Sequence, residues 1–238
     1  MDKRMVLVTG ASSGIGRAIC ERLLHDQHTV VGLARNFTKF PGDHPSFQGI
    51  ELDFADLDKL PERLQQIVTS HPEIDAVICC AGRGQFGSLE EFSYSQMRTL
   101  MDLNFTSQAY VARAFLPGFK TKGRGDIVFM GSESALSGGR RGAIYCASKF
   151  ALRGFALSLR EECSRSGVRV SVINPGMVKT DFFDGLNFAP GEHETNYILP
   201  QDIAEVVDVI LSAREGTVFD EINLSPLKKV IQFKKPTP

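Results

Sequence analysis

The chain has 238 residues, of which 42% are hydrophobic and 23% charged, with a formal net charge of -1. That balance is ordinary for a globular protein and carries no basic or acidic block, so nucleic acid and anionic membrane are not expected partners. Five cysteines, an odd number without C-x-x-C spacing, argue against a disulfide framework and a zinc site, and no metal is expected. They fit a reducing compartment. The apolar run after Met1-Asp2-Lys3-Arg4 ends at Gly10, too short for a signal-peptide core, and no stretch approaches a membrane span. A cytoplasmic location is expected.

In chain order, Met5 to Val8 reads as a buried strand closed by Thr9-Gly10, Ile15 to Leu24 as a helix, and Thr29 to Leu33 as a second strand. Gly49 to Leu52 predicts a third strand and Leu57 to Ser70 a helix. Ala76 to Cys80 predicts a fourth strand, ending in Ala81-Gly82. Met97 to Phe119 has a long helical pattern, interrupted at Pro117-Gly118. Asp126 to Met130 predicts a fifth strand, Ala143 to Ser164 a helix, and Val168 to Ile173 a sixth strand closed by Asn174-Pro175-Gly176. Met177 to Leu199 reads as irregular, Gln201 to Ala213 as a final helix and Glu221 to Leu224 as a last strand. The basic, Pro-rich end from Gln232 to Pro238 predicts disorder.

Alternating strands and helices, with strands that are near-continuous apolar runs, predict an α/β fold: a doubly wound parallel sheet between two helical layers, Rossmann-like in its three-layer α/β/α form. No linker or repeat divides the chain, so one domain over residues 1–238 is expected. Ligands of such sheets sit beyond the carboxyl ends of the strands. There lie Gly10, Arg35, Asp53, Ala81-Gly82, Ser132 and Pro175-Gly176.

Thr9-Gly10-Ala11-Ser12-Ser13-Gly14-Ile15-Gly16 links the first strand to the first helix. Glycines there permit a tight turn and close approach of a pyrophosphate, and the helix start offers free N–H groups. The spacing is G-x-x-x-G-x-G, and it points to a dinucleotide. The second strand ends in Ala34-Arg35-Asn36, without the ribose-binding carboxylate that would indicate NAD. A guanidinium favours a 2′-phosphate, so NADP (NADPH) is the expected cofactor, with Arg17 a second candidate. Asp53 is placed either to accept from the adenine amine or to cap the following turn.

Tyr145 and Lys149 stand four residues apart in a predicted helix, on one face and one turn apart. An adjacent ammonium favours the phenolate, making the tyrosine a general acid/base for a carbonyl or alcohol. By themselves the two also fit an ordinary amphipathic helix.

Together, Thr9 to Gly16, Ala81-Gly82, Asn104, Ser132, Tyr145 with Lys149, and Pro175-Gly176 followed by Thr180 resemble the compact form of the short-chain dehydrogenase/reductase family over nearly the whole chain. The resemblance implies a catalytic tetrad. Tyr145 would exchange the proton, Ser132 would orient the substrate carbonyl, and Lys149 would lower the Tyr145 pKa and hold the nicotinamide ribose. Asn104 would anchor a relay water. Gly10, Ser12, Ser13, Gly14, Ile15, Gly16, Asp53, Ala81, Gly82, Pro175, Gly176 and Thr180 would line the cofactor, with Tyr145 and Lys149 touching it. Ser134 rivals Ser132, and Asn104 could instead bond a backbone carbonyl. Two positions depart from the family. Cys80 replaces the usual Asn, whose amide ties neighbouring strands, so local loosening of the cofactor floor is expected. Ser13 stands where NADP-preferring members often carry a basic residue, which puts more of the phosphate on Arg35.

The irregular 177–199 segment is the expected substrate loop, and Phe182, Phe183, Leu186, Phe188 and Tyr197 would give it an apolar lining. A small ketone, aldehyde or alcohol with apolar substituents is the expected partner. Arg140 and Arg141 could meet an acidic substrate group or remain solvated. Apolar residues on several faces of the helices from Met97 and Ala143, with the family's habit of pairing them, imply a homodimer or homotetramer. An NADP-dependent carbonyl reductase is the leading reading; the alternative is a nucleotide-binding regulatory or redox-sensing protein with little turnover.

Overall fold

The computed structural model describes residues 3–38, 40 and 44–234. Five parallel strands form the centre of the chain: β1 (Met5–Thr9), β2 (Thr29–Ala34), β4 (Ala76–Cys79), β5 (Gly125–Met130) and β6 (Val168–Pro175). With β3 (Phe47–Glu51) and β8 (Glu221–Leu224) they make one seven-stranded sheet, in the order β3-β2-β1-β4-β5-β6-β8. Every pairing in it is parallel. The central strands are buried on both faces, which is why their sequences are continuous apolar runs.

The two-residue period of a strand sorts these side chains between two helical layers. Leu7, Val77, Cys79, Ile127 and Phe129 face α2 (Leu60–Ser70), α4 (Ser107–Lys122) and α5 (Ala143–Cys163). Val6, Val8, Ala76, Ile78, Val128 and Met130 face α1 (Gly14–His25) and α6 (Pro200–Ser212). The chain leaves β1 toward β2 and β3, then crosses back to β4. The crevice where the winding reverses therefore opens between the carboxyl ends of β1 and β4, beside Gly10 and Ala81.

The opposite, amino edge of the sheet is closed by charge. Asp75 and Asp126 are only 5% and 3% exposed. Arg4 binds Asp75 at 2.9 Å and Asp126 at 2.7 Å, and Arg169 binds Asp126 at 2.6 Å. Arg124 reaches Asp75 at 2.8 Å. Arg4 and Arg169 also donate to Leu211 O and Ala213 O, satisfying carbonyls at the end of α6. Burial works against the Arg4 charge, but Asp126 and Asp75 outweigh it and hold its pKa above the ordinary value.

Two expectations are corrected. The long helical pattern breaks not at Pro117 but earlier. The segment runs as α3 (Tyr94–Met101), a π turn over Asp102–Thr106, then α4, which passes through Pro117 to Lys122. Pro117 and Arg113, whose carbonyl the proline leaves unpaired, are exposed, so water can take that bond. The end expected to be disordered from Gln232 is ordered through Lys234. There β9 (Ile231–Phe233) pairs antiparallel with β7 (Phe188–Pro190), inside the segment read as irregular. Residues 235–238 of that predicted tail lie outside the described residues. Among the described residues no helix is long and apolar enough to cross a membrane.

Candidate active site

The Gly-rich turn is shaped by backbone geometry. Gly10 and Gly14 have φ of +68° and +53°, the left-handed region that glycine enters without a steric penalty. A Cβ on Gly10 would sit 3.1 Å from Ala81 across the crevice, and one on Gly16 would overlap Gly10 O. Ser13 precedes α1 in extended conformation, and its side chain makes no capping bond. The first N–H groups of α1 are thus left to an external acceptor, beside a cradle that side chains would fill. Ser12 and Ser13 lie on that turn, and Thr180 faces Gly14 across the site, 3.4 Å from where its Cβ would stand. These residues fit a pyrophosphate.

Arg35, just past β2, is exposed and makes no hydrogen bond or ion pair among the described residues. Asp53 Oδ1 accepts from Ala55 N at 2.9 Å and so caps the following turn. Arg17 pairs with Glu21 at 2.7 Å.

The turn after β4, where Cys80 stands, is held at its backbone from two sides. Thr9 Oγ1 accepts from both Cys80 N and Ala81 N at 2.9 Å, and Gln108 Nε2 donates to Ala81 O at 3.0 Å. Thr9 in turn donates to Gln108 Oε1 at 3.4 Å. A hydroxyl from β1 and an amide from α4 thus hold the turn after β4. Burial pushes the Cys80 thiol up to about 12, with Lys149 opposing.

Asn104 sits in the π turn, fully buried. Its Oδ1 accepts from Arg83 N at 2.9 Å, and its Nδ2 donates to Arg83 O at 3.0 Å and Ser148 Oγ at 3.1 Å. Ser148 Oγ donates to Tyr145 O at 2.7 Å. The π turn, a feature frequent at functional sites, thereby joins the turn after β4 to the helix that carries Tyr145 and Lys149. The Asn104 amide thus binds the backbone of residue 83 and the hydroxyl of Ser148.

Ser132, Tyr145 and Lys149 line one cavity of about 770 Å³, together with Ile15, Cys80, Gly82, Pro175, Gly176 and Thr180. Arg35 and Asp53 lie outside its wall, at the ends of β2 and β3. Asn174, fully buried in β6, accepts from Ser132 N at 3.3 Å and is itself held by Glu221 and Asn223 of β8. Ser134 donates its N–H to Ser132 Oγ at 3.1 Å and lies in the same cavity wall.

Burial sets the protonation of the pair. It pushes the Tyr145 hydroxyl up to about 12, against a hydrogen bond from Ser132 that pulls it down. It drives Lys149 down to about 8. Lys149 Nζ donates to Met130 O at 2.9 Å and stands 6.0 Å from the Tyr145 ring centroid. Burial of the phenol is the largest influence on the Tyr145 pKa, with Ser132 the group that opposes it. The phenol is neutral at neutral pH and can donate.

Phe86, Phe182, Phe183 and Phe188 supply aromatic walls beside Tyr145. Phe86, which the sequence reading did not single out, lies 4.9 Å from the Tyr145 ring. Arg141 is engaged by Glu91 at 2.7 Å, while Arg140 is exposed on the cavity rim. Among the described residues no group of three or more His, Cys, Asp or Glu side chains is placed to hold a metal.

Comparison with known proteins agrees with this geometry. Residues 4–189 match the family described as short chain dehydrogenase. An uncharacterised oxidoreductase of Staphylococcus epidermidis is 27% identical over 95% of this chain and 99% of its own length. The mouse 17-beta-hydroxysteroid dehydrogenase type 1 is 35% identical over 80% of this chain, which spans 59% of that longer protein. A serine dehydrogenase solved with NADP+ superposes with a TM-score of 0.81 at 27% identity, covering 92% of this chain and 93% of the other. Solved chains of the same fold hold NADP+ in some cases and NADH in others.

Proposed function

The chain belongs to the short-chain dehydrogenase family of oxidoreductases, and from that premise we propose that it is an NADPH-dependent reductase of ketones or aldehydes, able to run in reverse on the corresponding alcohols. One observation carries this reading: Ser132, Tyr145 and Lys149 share a cavity wall with Ile15 and Thr180 at the head of the dinucleotide cradle. Bound there, the nicotinamide would supply the hydride that the carbonyl carbon accepts. The protein's own part is to receive the charge that grows on the oxygen. Ser132 donates to that oxygen and orients it. Tyr145, neutral because burial holds its pKa near 12, delivers the proton. Lys149 keeps positive charge near both and reaches the cofactor ribose, while Asn104 fixes the turn that faces it.

Gly10, Ser12, Ser13, Gly14 and Gly16 would receive the pyrophosphate, and Asp53, Ala81, Gly82, Pro175, Gly176 and Thr180 the remainder of the cofactor. Arg35, at the end of β2 and without a partner among the described residues, supports NADPH over NADH, since a 2′-phosphate gives it one. Hydroxysteroid dehydrogenase is among the similar proteins, and the aromatic walls suit a carbonyl with apolar substituents. Tyr110 on α4 and Phe150 on α5 are exposed apolar side chains, and we place the contact of a homodimer there. Sedimentation of Phe150→Glu protein should give a lighter species than wild type.

The direct test is product identification. Purified protein with NADPH and a panel of ketones and aldehydes should yield the alcohol, detected by mass spectrometry. Tight NADPH binding with no alcohol formed from any panel member would overturn the reading in favour of a nucleotide-sensing role.

A further inference from the structure

The cavity wall includes two residues from the far end of the chain, Ile231 and Phe233. They belong to β9, which reaches the site only by pairing with β7, Phe233 opposite Phe188 and Ile231 opposite Pro190. Residues two apart on a strand point to one face, and directly opposed residues share it. Phe188, Phe233 and Ile231 therefore form one apolar surface. It connects to the reacting hydroxyl through rings: Phe188 to Phe86 at 5.1 Å, and Phe86 to Tyr145 at 4.9 Å.

This surface is held rigidly yet left open. Gly191 N donates to Val230 O at 3.0 Å, and Lys234 N to Asn187 O at 2.8 Å. Lys229 Nζ pairs with Glu133, next to Ser132, at 2.8 Å, and Lys234 Nζ donates to Phe183 O. Despite these anchors Ile231 remains 56% and Phe233 76% exposed. Two large apolar side chains fixed at the wet rim of a cavity call for an apolar occupant. Because the cavity is continuous with Ser132 and Tyr145, that occupant is the part of the substrate remote from the carbonyl.

We infer that β9 forms a distal substrate subsite, in which Ile231 and Phe233 select carbonyl compounds with an extended apolar body over short ones. The inference rests on the carbonyl-reductase reading for its turnover arm, and on binding alone for its second arm. A preformed wall loses little entropy on binding, so the selection should appear as discrimination between long and short substrates.

The test compares butanone with decanone, on wild type and on the double variant Ile231→Ser, Phe233→Ser. Both positions are exposed, so the fold should be kept. The ratio of kcat/KM for decanone to that for butanone should fall by about tenfold or more, with NADPH affinity unchanged. An unchanged ratio would overturn the inference. The second arm uses the absence of tryptophan from this chain. In Phe233→Trp protein loaded with NADPH, the single indole should shift its emission to the blue on addition of decanone but not butanone. That response without turnover would keep the subsite while sinking the reductase reading. No response to decanone at any concentration would sink the subsite, as would a blue shift that tracks protein concentration instead, which would assign the face to a second copy of the chain.

Discussion

The two edges of the sheet solve the problem of buried polar groups in opposite ways. At the amino edge, Asp75 and Asp126 are matched by Arg4, Arg169 and Arg124, and the spare guanidinium donors take up carbonyls near the end of α6. At the carboxyl edge, Lys149 is as deeply buried but has no carboxylate partner, only Met130 O, and Tyr145 is desolvated with Ser132 for relief. The first edge is neutralised internally and has nothing left to offer a ligand. The second keeps donors and a displaced ammonium facing a cavity. Burial alone does not mark a functional charge; burial without a matched partner, beside open space, does.

The comparison breaks most sharply at Asp126. Asp126→Ala should destabilise the fold by about 3–5 kcal/mol, because the half-buried Arg169 loses its carboxylate and Arg4 keeps only Asp75 of its two. Chemical denaturation measures this, while kcat/KM per folded molecule should stay near wild type. Ser132→Ala should do the reverse. With a transition-state donor removed, kcat should fall by on the order of 10²–10³-fold, while the lost bond from Ser134 N should cost the fold only about 0.5–2 kcal/mol. Arg35→Asp should weaken NADPH binding by roughly tenfold to a hundredfold, the scale of one charge-assisted contact, and leave NADH binding little changed. Equal losses for both cofactors would mean that Arg35 does not read the phosphate.

Lys149→Met has the most informative sign. Burial holds the folded-state pKa of Lys149 at about 8, below the ordinary 10.5. Between those values the unfolded chain binds the proton and the folded chain does not, so this group's contribution to stability rises with pH across that window. Below about 8 the full penalty of a buried charge is present. Lys149→Met should therefore stabilise the protein at neutral pH by on the order of 1–3 kcal/mol, and the advantage should shrink as pH rises from about 8 to 10.5. Over the same window reductase activity of wild type should fall as Lys149 loses its charge. Opposite slopes of stability and activity, followed by thermal melts and initial rates, would show a residue kept for chemistry against the interest of the fold.

The sheet was legible because its central strands are buried on both faces and read as unbroken apolar runs. Glu221 to Leu224 was found with its observed bounds. The Gly-rich turn and the Tyr145–Lys149 pair were legible because both are local, set by spacing along one element. What escaped was short or distant. β7 and β9 have three residues each, too few for a period to register, and β7 contains a proline. The Arg4, Asp75, Asp126 and Arg169 network joins four separate segments and leaves no local pattern. Gln108 had a faint signal, a polar residue one helical turn past Asn104 on an otherwise apolar face. The expectation for Cys80 asked only what the thiol could bond; the bonds that Thr9 and Gln108 make to the backbone around it leave no local trace in the sequence. Spacing puts Lys149 beside Tyr145 but cannot count the water that folding removes from the phenol, the largest influence on its pKa.

The most direct measurement is NADPH consumption by Tyr145→Phe protein beside wild type, with butanone and decanone as substrates and NADPH affinity measured on both. The account predicts that the variant binds NADPH as wild type does and loses turnover by about 10²–10⁴-fold, the contribution of a positioned general acid. Equal turnover by the two proteins would contradict it, because the proton would then come from somewhere other than the neutral phenol at the head of the cavity.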